Sequence, residues 1–411
     1  MSNVLPRLRQ NIDVFPSPLE DQPGLLLRDP YRYSEEILVI PPVFINALSF
    51  LDGKSTEDEV LEYLTEAIGR QFPRHPLHDF LSALNEAGFL ETEEFRQLRR
   101  QRHSDFADSK VREPVHAGSG YPVDTFELKS TLDNYLTTII PPNPAPVRAI
   151  AAPHVSPFGG WQSYAAAYNR LRGIREQLLD KTVIILGTSH YGEADRFGVT
   201  RKPFTTPYGT LQTDTDLIEK LLPLAGESVV VEDYCHRIEH SIEFQTIFLQ
   251  HLLGNRIRIL PILCGSFHNS YLSGKPPESQ DSIRRFLDAL GEVTESRADE
   301  LFWVLGIDMA HVGRRYGDDF EAKANLGFLQ EVKETDARRL DLVNTSNAGE
   351  FFEMVARDED PLKWCGFSPL YTFLKLVPGL KGQTLNYEQW NIDEASVVSF
   401  AALEFTDAVI S

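Results

Sequence analysis

Three cysteines in 411 residues are too few for a disulfide framework, and Cys235, Cys264 and Cys365 are odd in number, widely spaced and without a CxxC. Such usage suits a reducing compartment, where a cysteine is buried filler or a reactive group. No window reaches the roughly 18 to 20 apolar residues that span a bilayer, and the opening MSNVLPRLRQNIDV lacks the apolar run of a signal peptide. A cytoplasmic location away from the membrane is therefore expected. Positive charge is also scarce: 40 Lys and Arg stand against 60 Asp and Glu, a formal net charge of −20. Nucleic-acid affinity rests mostly on cations that neutralise phosphates, so no nucleic-acid partner is expected. The one basic cluster, Arg96, Arg99, Arg100 and Arg102, reads as a solvated helix end. There is no GxSxG elbow, so a Ser-His-Asp or Cys-His hydrolase has no local signature, and GTSHYG, lacking the Lys-Ser/Thr ending, is not a phosphate loop. No repeat of solenoid length is present.

A chain of this length exceeds what one hydrophobic core usually organises, so two domains are expected. Residues 1–102 read as a small, mostly helical domain with two short strands, GLLLRDP and EEILVIP. Helices follow at VFINALSFLDG, at EDEVLEYLTEAIG behind the N-cap pair Ser55 and Thr56, and at HDFLSALNEAGFL, which closes on Gly88. The polar, then proline-rich stretch 103–145, running into IIPPNPAPVR, reads as a linker. From 146 to 411 strand-like and helix-like runs alternate, the pattern of a layered α/β domain with a largely parallel sheet. Strands are expected at VRAIAAP, TVIILG, VVVE, RIRILPIL and LFWVLG. Helices are expected from Gln162 to about Leu179, at DTDLIEKLLP, at EHSIEFQTIFLQHLL and at DSIRRFLDAL, with β-rich segments from about Gln383 onward.

Ligands of open α/β sheets collect beyond the carboxyl ends of the strands. His154 follows VRAIAAP, His190 follows TVIILGTS, Cys264 follows RIRILPIL, and Asp308 and His311 follow LFWVLGI. Two histidines at comparable strand ends can converge on one point, and neutral imidazole is the commonest metal ligand. Taken singly, each can equally serve a loop backbone. Glu239 and His240 fall at a helix start, where the macrodipole favours a carboxylate and disfavours a protonated imidazole. A neutral His240 can act as a base, and a capping Glu-His-Ser turn has the same composition. Cys365, in WCGFSPLYTFLKL just before a helix, tends toward thiolate, which is both a soft metal ligand and a nucleophile. Cys264, after an apolar run, and Cys235, in DYCHR, read as filler and a loop thiol.

APHVSPFGGWQSYAAAY, ILGTSHYG, FTTPYGTLQTDTDLIEKL, EHSIEFQTIFLQHL, ILPILCGSF, GIDMAHVGRRYG, CGFSPLYTFLKL and VVSFAALEF, in that order, resemble the Memo family over about residues 148 to 405. That family includes protein B of bacterial and archaeal AmmeMemoRadiSam clusters and is similar in fold to the class III extradiol dioxygenases. The resemblance implies a transition-metal site for copper or iron, with His154, His190 and Cys365 as ligands. It places His240, beside Glu239, at the position of the dioxygenases' acid/base histidine, with Asp308 and His311 lining the same cleft. It implies a metal-binding redox protein working with a radical-SAM protein and an AMMECR1-like protein. The two alternatives are an enzyme proper, an Fe(II)-dependent oxidoreductase of the extradiol dioxygenase type, and a non-catalytic peptide- or protein-binding module. Many relatives have APHAGY where this chain has APHVSP, a second histidine at Tyr191, and Ser-Ser at Gly306-Ile307. These departures touch the surroundings of the site and none of its ligands. Two histidines with a thiolate form a softer set than two histidines with a carboxylate, suiting Cu(I), Zn or a less oxygen-labile iron. At the N-terminus, two strands with three helices resemble the winged-helix-like PqqD type, which implies peptide or protein binding there; a helical cap on the main domain is the other reading.

Overall fold

The computed structural model describes residues 4–19, 21–137, 146–357 and 359–407. The chain forms two compact units, Met1–Asp108 and Ser109–Ser411. In the first, strands β1 (Asp13–Pro16), β2 (Leu25–Arg28) and β3 (Ile37–Ile40) make an antiparallel sheet in that order. Helices Glu57–Ile68, Arg74–Glu86 and Glu93–Asp108 complete it. Thr56 opens the first of these reciprocally: its hydroxyl accepts from the Glu59 N–H, and the Glu59 carboxylate accepts from the Thr56 N–H. The VFINALSFLDG run does not form one helix. It breaks into a single α turn, Pro42–Ile45, and a 3-10 run, Asn46–Phe50. Leu27, Ile40, Leu64, Leu77, Leu84 and Phe89 meet in the core of this unit. The basic cluster lies on helix Glu93–Asp108, where Arg96 and Arg100 both pair with Glu93 on the exposed face.

The stretch 103–145 is not a linker. Its first residues finish helix Glu93–Asp108, and from Ser109 the chain belongs to the second unit. There helix Thr125–Tyr135, N-capped by the Asp124 carboxylate, buries Leu128 and Leu132. Those leucines form one narrow apolar stripe in an otherwise polar run, too thin to lift its composition above that of a linker. Residues 138–145, with most of the proline-rich run, lie outside the described residues.

The second unit is a mixed α/β domain built on an eleven-stranded sheet. Its strands are β4 (Val147–Ala152), β5 (Thr182–Thr188), β6 (Phe197–Val199), β7 (Phe204–Thr206), β8 (Gly209–Thr213) and β9 (Val229–Val231). They continue with β10 (Arg258–Cys264), β11 (Leu301–Gly306), β12 (His311–Gly313), β13 (Lys381–Asn391) and β14 (Ser396–Thr406). The main path runs β12-β14-β4-β11-β5-β10-β6-β9. β4, β11, β5 and β10 are mutually parallel, and the hairpin of β13 and β14 adds antiparallel to β4.

The face each side chain enters alternates strictly along the central strands. Ala149, Ala151, Ile184, Leu186, Trp303 and Leu305 enter one core; Ile150, Ala152, Val183, Ile185, Phe302 and Val304 enter the other. Both faces are covered, which is why these strands read as unbroken apolar runs. Helices Pro157–Arg172 and Glu243–Leu253 pack on one face, and Asp281–Glu295, Phe328–Asn344 and Phe367–Leu376 on the other. Register then decides where chemistry sits: Ala152, Gly306 and Gly187 are direct neighbours across β4, β11 and β5. Among the described residues no helix is long and apolar enough to cross a membrane.

Candidate functional site

From that row of three, the chain leaves the sheet on the same side. Two residues on come His154 and Asp308; three residues on comes His190. The His154 N–H donates to Asp308 Oδ1 at 2.9 Å, and Asp308 Oδ2 lies 3.4 Å from His154 Nε2. His154 Nδ1 is 2.9 Å from the Gly306 carbonyl oxygen. A carbonyl only accepts, so Nδ1 carries the hydrogen and Nε2 presents its lone pair. His190 repeats the device with a carboxylate, its Nδ1 lying 2.9 Å from Glu239 Oε2 while its backbone N–H donates to Glu239 Oε1. One ring nitrogen from each of His154, His190 and His240 falls within 4.8 Å of the others. The His190 and His240 rings stack at 5.0 Å, and His154 stands edge-on to both. Cys365 closes the group, its Sγ 3.3 Å from His154 Nε2. Its backbone is tied to strand ends: Thr188 Oγ1 donates to the Cys365 carbonyl at 2.9 Å, and the Gly366 N–H to the Asp308 carbonyl at 2.9 Å.

His240 reaches the group by a route the sequence pattern misplaces. The helix expected from Glu239 begins only at Glu243, and Glu239 itself is extended, with φ −70° and ψ 141°. Residues 239–242 form a turn that lies on the sheet, and two glycines make room for it. A Cβ at Gly187 would stand 2.5 Å from Ser241 Oγ, and one at Gly306 would overlap the Ser241 carbonyl oxygen. The Ser241 hydroxyl in turn donates to the Thr188 carbonyl at 2.8 Å.

Charge is distributed unevenly over these groups. Burial alone would depress the His190 imidazole; the Glu239 carboxylate and Cys365 overrule it and hold His190 well above the usual histidine range. Burial would likewise raise the Cys365 thiol, but His154 and His190 outweigh it and pull it down, toward thiolate. Burial drives His240 well below the usual range, and its imidazole neighbours push the same way, so it stays neutral. Burial lifts Asp308 to about 6, against the pull of His311 and of the backbone N–H groups it accepts. Cys264 is buried and burial pushes its thiol up, in keeping with filler; Cys235, read as a loop thiol, is instead buried at the start of the one-turn helix Cys235–Ile238, and burial raises its thiol too. His311 lies beyond Asp308, with Nδ1 2.9 Å from the Met309 carbonyl and its ring edge-on to Tyr316.

A cavity of about 630 Å³ adjoins the cluster, walled by His190, Cys365, His268, Tyr271, Lys363 and Trp364 among others. That is the size range of small-molecule sites. Another cavity, of about 440 Å³, is lined by Arg148 and Leu301 at the opposite, amino ends of β4 and β11, with no histidine or cysteine in its wall.

A family model described as Memo-like protein matches residues 112–404. The chain belongs to the Memo-like family. A MEMO1 family protein of Aquifex aeolicus is 25% identical over 386 residues, spanning 92% of this chain and 95% of its own length. That span necessarily includes most of the smaller unit. A MEMO1 family protein of Thermococcus kodakarensis is 26% identical over 73% of this chain and 97% of its own. One from Ignicoccus hospitalis reaches 34% identity over 37% of this chain and 56% of its own. The Memo-like match begins at Arg112, well before the start at 146 read from strand pattern, and it takes in Arg112, His116 and Tyr121. These residues pack beneath the turn 236–240, and the sequence reading missed them. The signal available was VREPVHAGSGY itself, an arginine, a histidine and a tyrosine in a stretch otherwise read as polar linker.

Proposed function

We propose that this Memo-like chain is a metal-binding redox protein that holds copper or iron through His154, His190 and Cys365, with His240 as a further nitrogen donor. The observation that carries the reading is the pair of hydrogen bonds on the far side of two rings. The Gly306 carbonyl and the Glu239 carboxylate fix His154 and His190 with their Nε2 atoms turned inward. Outer partners of this kind are what metal-ligating histidines require. Imidazole nitrogens with one readily ionised thiol make a donor set that suits copper or a thiolate-bound iron. Bound there, such an ion would supply electron transfer and Lewis acidity. The chain's own residues do the rest: Asp308 fixes the His154 loop, Glu239 orients His190 and balances its charge, and the cavity beside Cys365 admits a small molecule. Elemental analysis of anaerobically purified protein, beside Cys365→Ser and His154→Ala, tests this. Near-stoichiometric copper or iron in the parent, lost in both variants, is expected. A parent that stays metal-free after reconstitution, or a folded His154→Ala protein that keeps its metal, overturns it.

One observation favours a second reading, an Fe(II)-dependent oxygenase of the extradiol type. Burial keeps His240 neutral, and a neutral imidazole stacked on His190, which lines the cavity, can serve as a base. Oxygen uptake with a ring substrate, abolished in His240→Gln, would favour it; uptake indifferent to that substitution would exclude it.

A further inference from the structure

Three carbonyls of the turn that carries Glu239 and His240, those of His236, Ile238 and Glu239, are held by residues 112–116. We propose that Arg112 is the positioning residue that fixes this turn, and through it the hold of Glu239 on His190; the proposal rests on the metal-site reading above. The backbone of Arg112 is itself anchored beside β7, its N–H donating to the Pro203 carbonyl at 2.8 Å and its carbonyl accepting from the Thr205 N–H at 2.9 Å. Its guanidinium is fully buried. Nε donates to the His236 carbonyl at 2.8 Å, Nη2 to the Glu239 carbonyl at 2.7 Å, and Nη1 to the Glu113 carbonyl at 2.7 Å and to the Glu243 carboxylate.

Glu243 is equally committed. Its Oε1 accepts the His116 N–H at 2.9 Å and the Tyr121 hydroxyl. His116 Nε2 reaches the Ile238 carbonyl at 2.8 Å, and its ring stands edge-on to His240 at 5.6 Å. The one-turn helix Cys235–Ile238 ends without continuing, so its last carbonyls have no helical partner and depend on these donors. Only a planar fork with five N–H groups can serve three carbonyls and a carboxylate from one position; an ammonium on a flexible stem cannot. Glu239 thus has its carbonyl on Arg112 and its carboxylate on His190. A shift at one end is passed to the other through a single residue.

The test uses the full chain and two variants. Arg112→Lys keeps a cation opposite Glu243, and Arg112→Met with Glu243→Gln leaves no uncompensated buried charge, so loss of fold does not mask loss of position. The first readout needs no metal: the downfield proton resonance of the His190 Nδ1–H held by Glu239, assigned by its absence in His190→Gln. The second is a Co(II) titration, with the d–d bands reporting ligand geometry and the sulfur-to-cobalt transition reporting Cys365. In the parent we expect a sharp Nδ1–H signal and a bound, thiolate-ligated Co(II). In both variants we expect that signal to broaden away and Co(II) affinity to fall by about 10- to 100-fold, while the sulfur transition survives because Cys365 is anchored elsewhere. Either folded variant retaining the signal and the parent's affinity overturns the proposal. A parent that binds no Co(II) fails the metal reading instead, and the Nδ1–H signal then still decides the role of Arg112.

Discussion

Replacing Arg339 with methionine probes the segment that delivers Cys365 to the histidines. Asp360 Oδ1 lies 2.9 Å from Arg339 Nη1, and Asp360 Oδ2 accepts the Trp364 N–H at 2.6 Å. The two side chains are only 3% and 6% exposed. The Arg339 guanidinium also sits 5.2 Å from the centre of the Trp364 ring. This loop holds Glu359, Asp360 and Lys363 at φ of 56°, 52° and 53°, left-handed backbone that disfavours each such residue by about 1 kcal/mol. Such a conformation persists only where its surroundings enforce it. Arg339→Met keeps the apolar stem and strands a buried carboxylate, a change worth about 3–5 kcal/mol of stability.

The pH dependence follows from sign. Burial raises the Asp360 pKa even with Arg339 present to lower it, so removing Arg339 raises it further. A carboxyl whose folded pKa exceeds its unfolded value stays protonated in the fold while the unfolded chain has released the proton, so stability falls as pH rises through that window. The loss should therefore be smaller at pH 5 than at pH 8. Urea unfolding followed by tryptophan fluorescence measures it, since all four tryptophans, Trp161, Trp303, Trp364 and Trp390, lie in the larger unit. Arg339→Met with Asp360→Asn should recover most of the deficit, because no charge is left buried and the amide oxygen can still accept the Trp364 N–H. A deficit of less than about 1 kcal/mol at pH 8, the range of an exposed pair, or a larger deficit at pH 5, would refute the reasoning.

Two further outcomes are expected. His236 is buried with Nε2 unpartnered, and burial lowers its pKa to about 4. The unfolded chain takes up a proton below about 6.5 while the fold resists until about 4, so this residue alone removes about 3 kcal/mol of stability as pH falls across that interval. In urea melts at pH 7, 5 and 4, His236→Leu should lose less on acidification than the parent, and parallel losses would count against the assignment. Glu239→Gln keeps the shape but drops the charge that supports His190. Metal affinity should fall by about 10- to 100-fold, and alkylation of metal-free Cys365 by iodoacetamide should slow near neutral pH as thiolate is lost. An unchanged alkylation rate would show that Glu239 does not govern the charge on these groups.

What the sequence revealed and what it hid divide along a physical line. His154, His190 and Asp308 were legible because each follows an unbroken apolar run, and such runs are parallel strands whose carboxyl ends gather ligands. The position of Cys365 before a helix was legible from composition and flanking pattern. The convergence of His240 was not, because helix Glu243–Leu253 starts late. The turn ahead of it is set by Arg112, more than a hundred residues away in sequence, and local propensity carries no trace of such a partner. Arg112, His116 and Tyr121 were hidden for the same reason, since these polar side chains find their partners far away in the chain. In the smaller unit, VFINALSFLDG has a helical composition but is interrupted by a 3-10 run, and four-residue β1 is too short for a periodic signal.

Gly187 and Gly306 face each other on neighbouring strands, each lacking a side chain where Ser241 rests. At Gly306 the height of His240 above the sheet is thereby gauged by main chain against main chain, with no rotamer available to adjust it. A methyl at position 187 would meet both the Ser241 hydroxyl and the Ile242 side chain, so Ser241→Gly alone would not relieve it, and one at 306 would meet the Ser241 carbonyl. Anyone retuning this centre must therefore work on its walls and entrance, in the cavity beside Lys363 and Trp364. The distance between the three imidazoles is a dimension of the scaffold and will not yield to side-chain redesign.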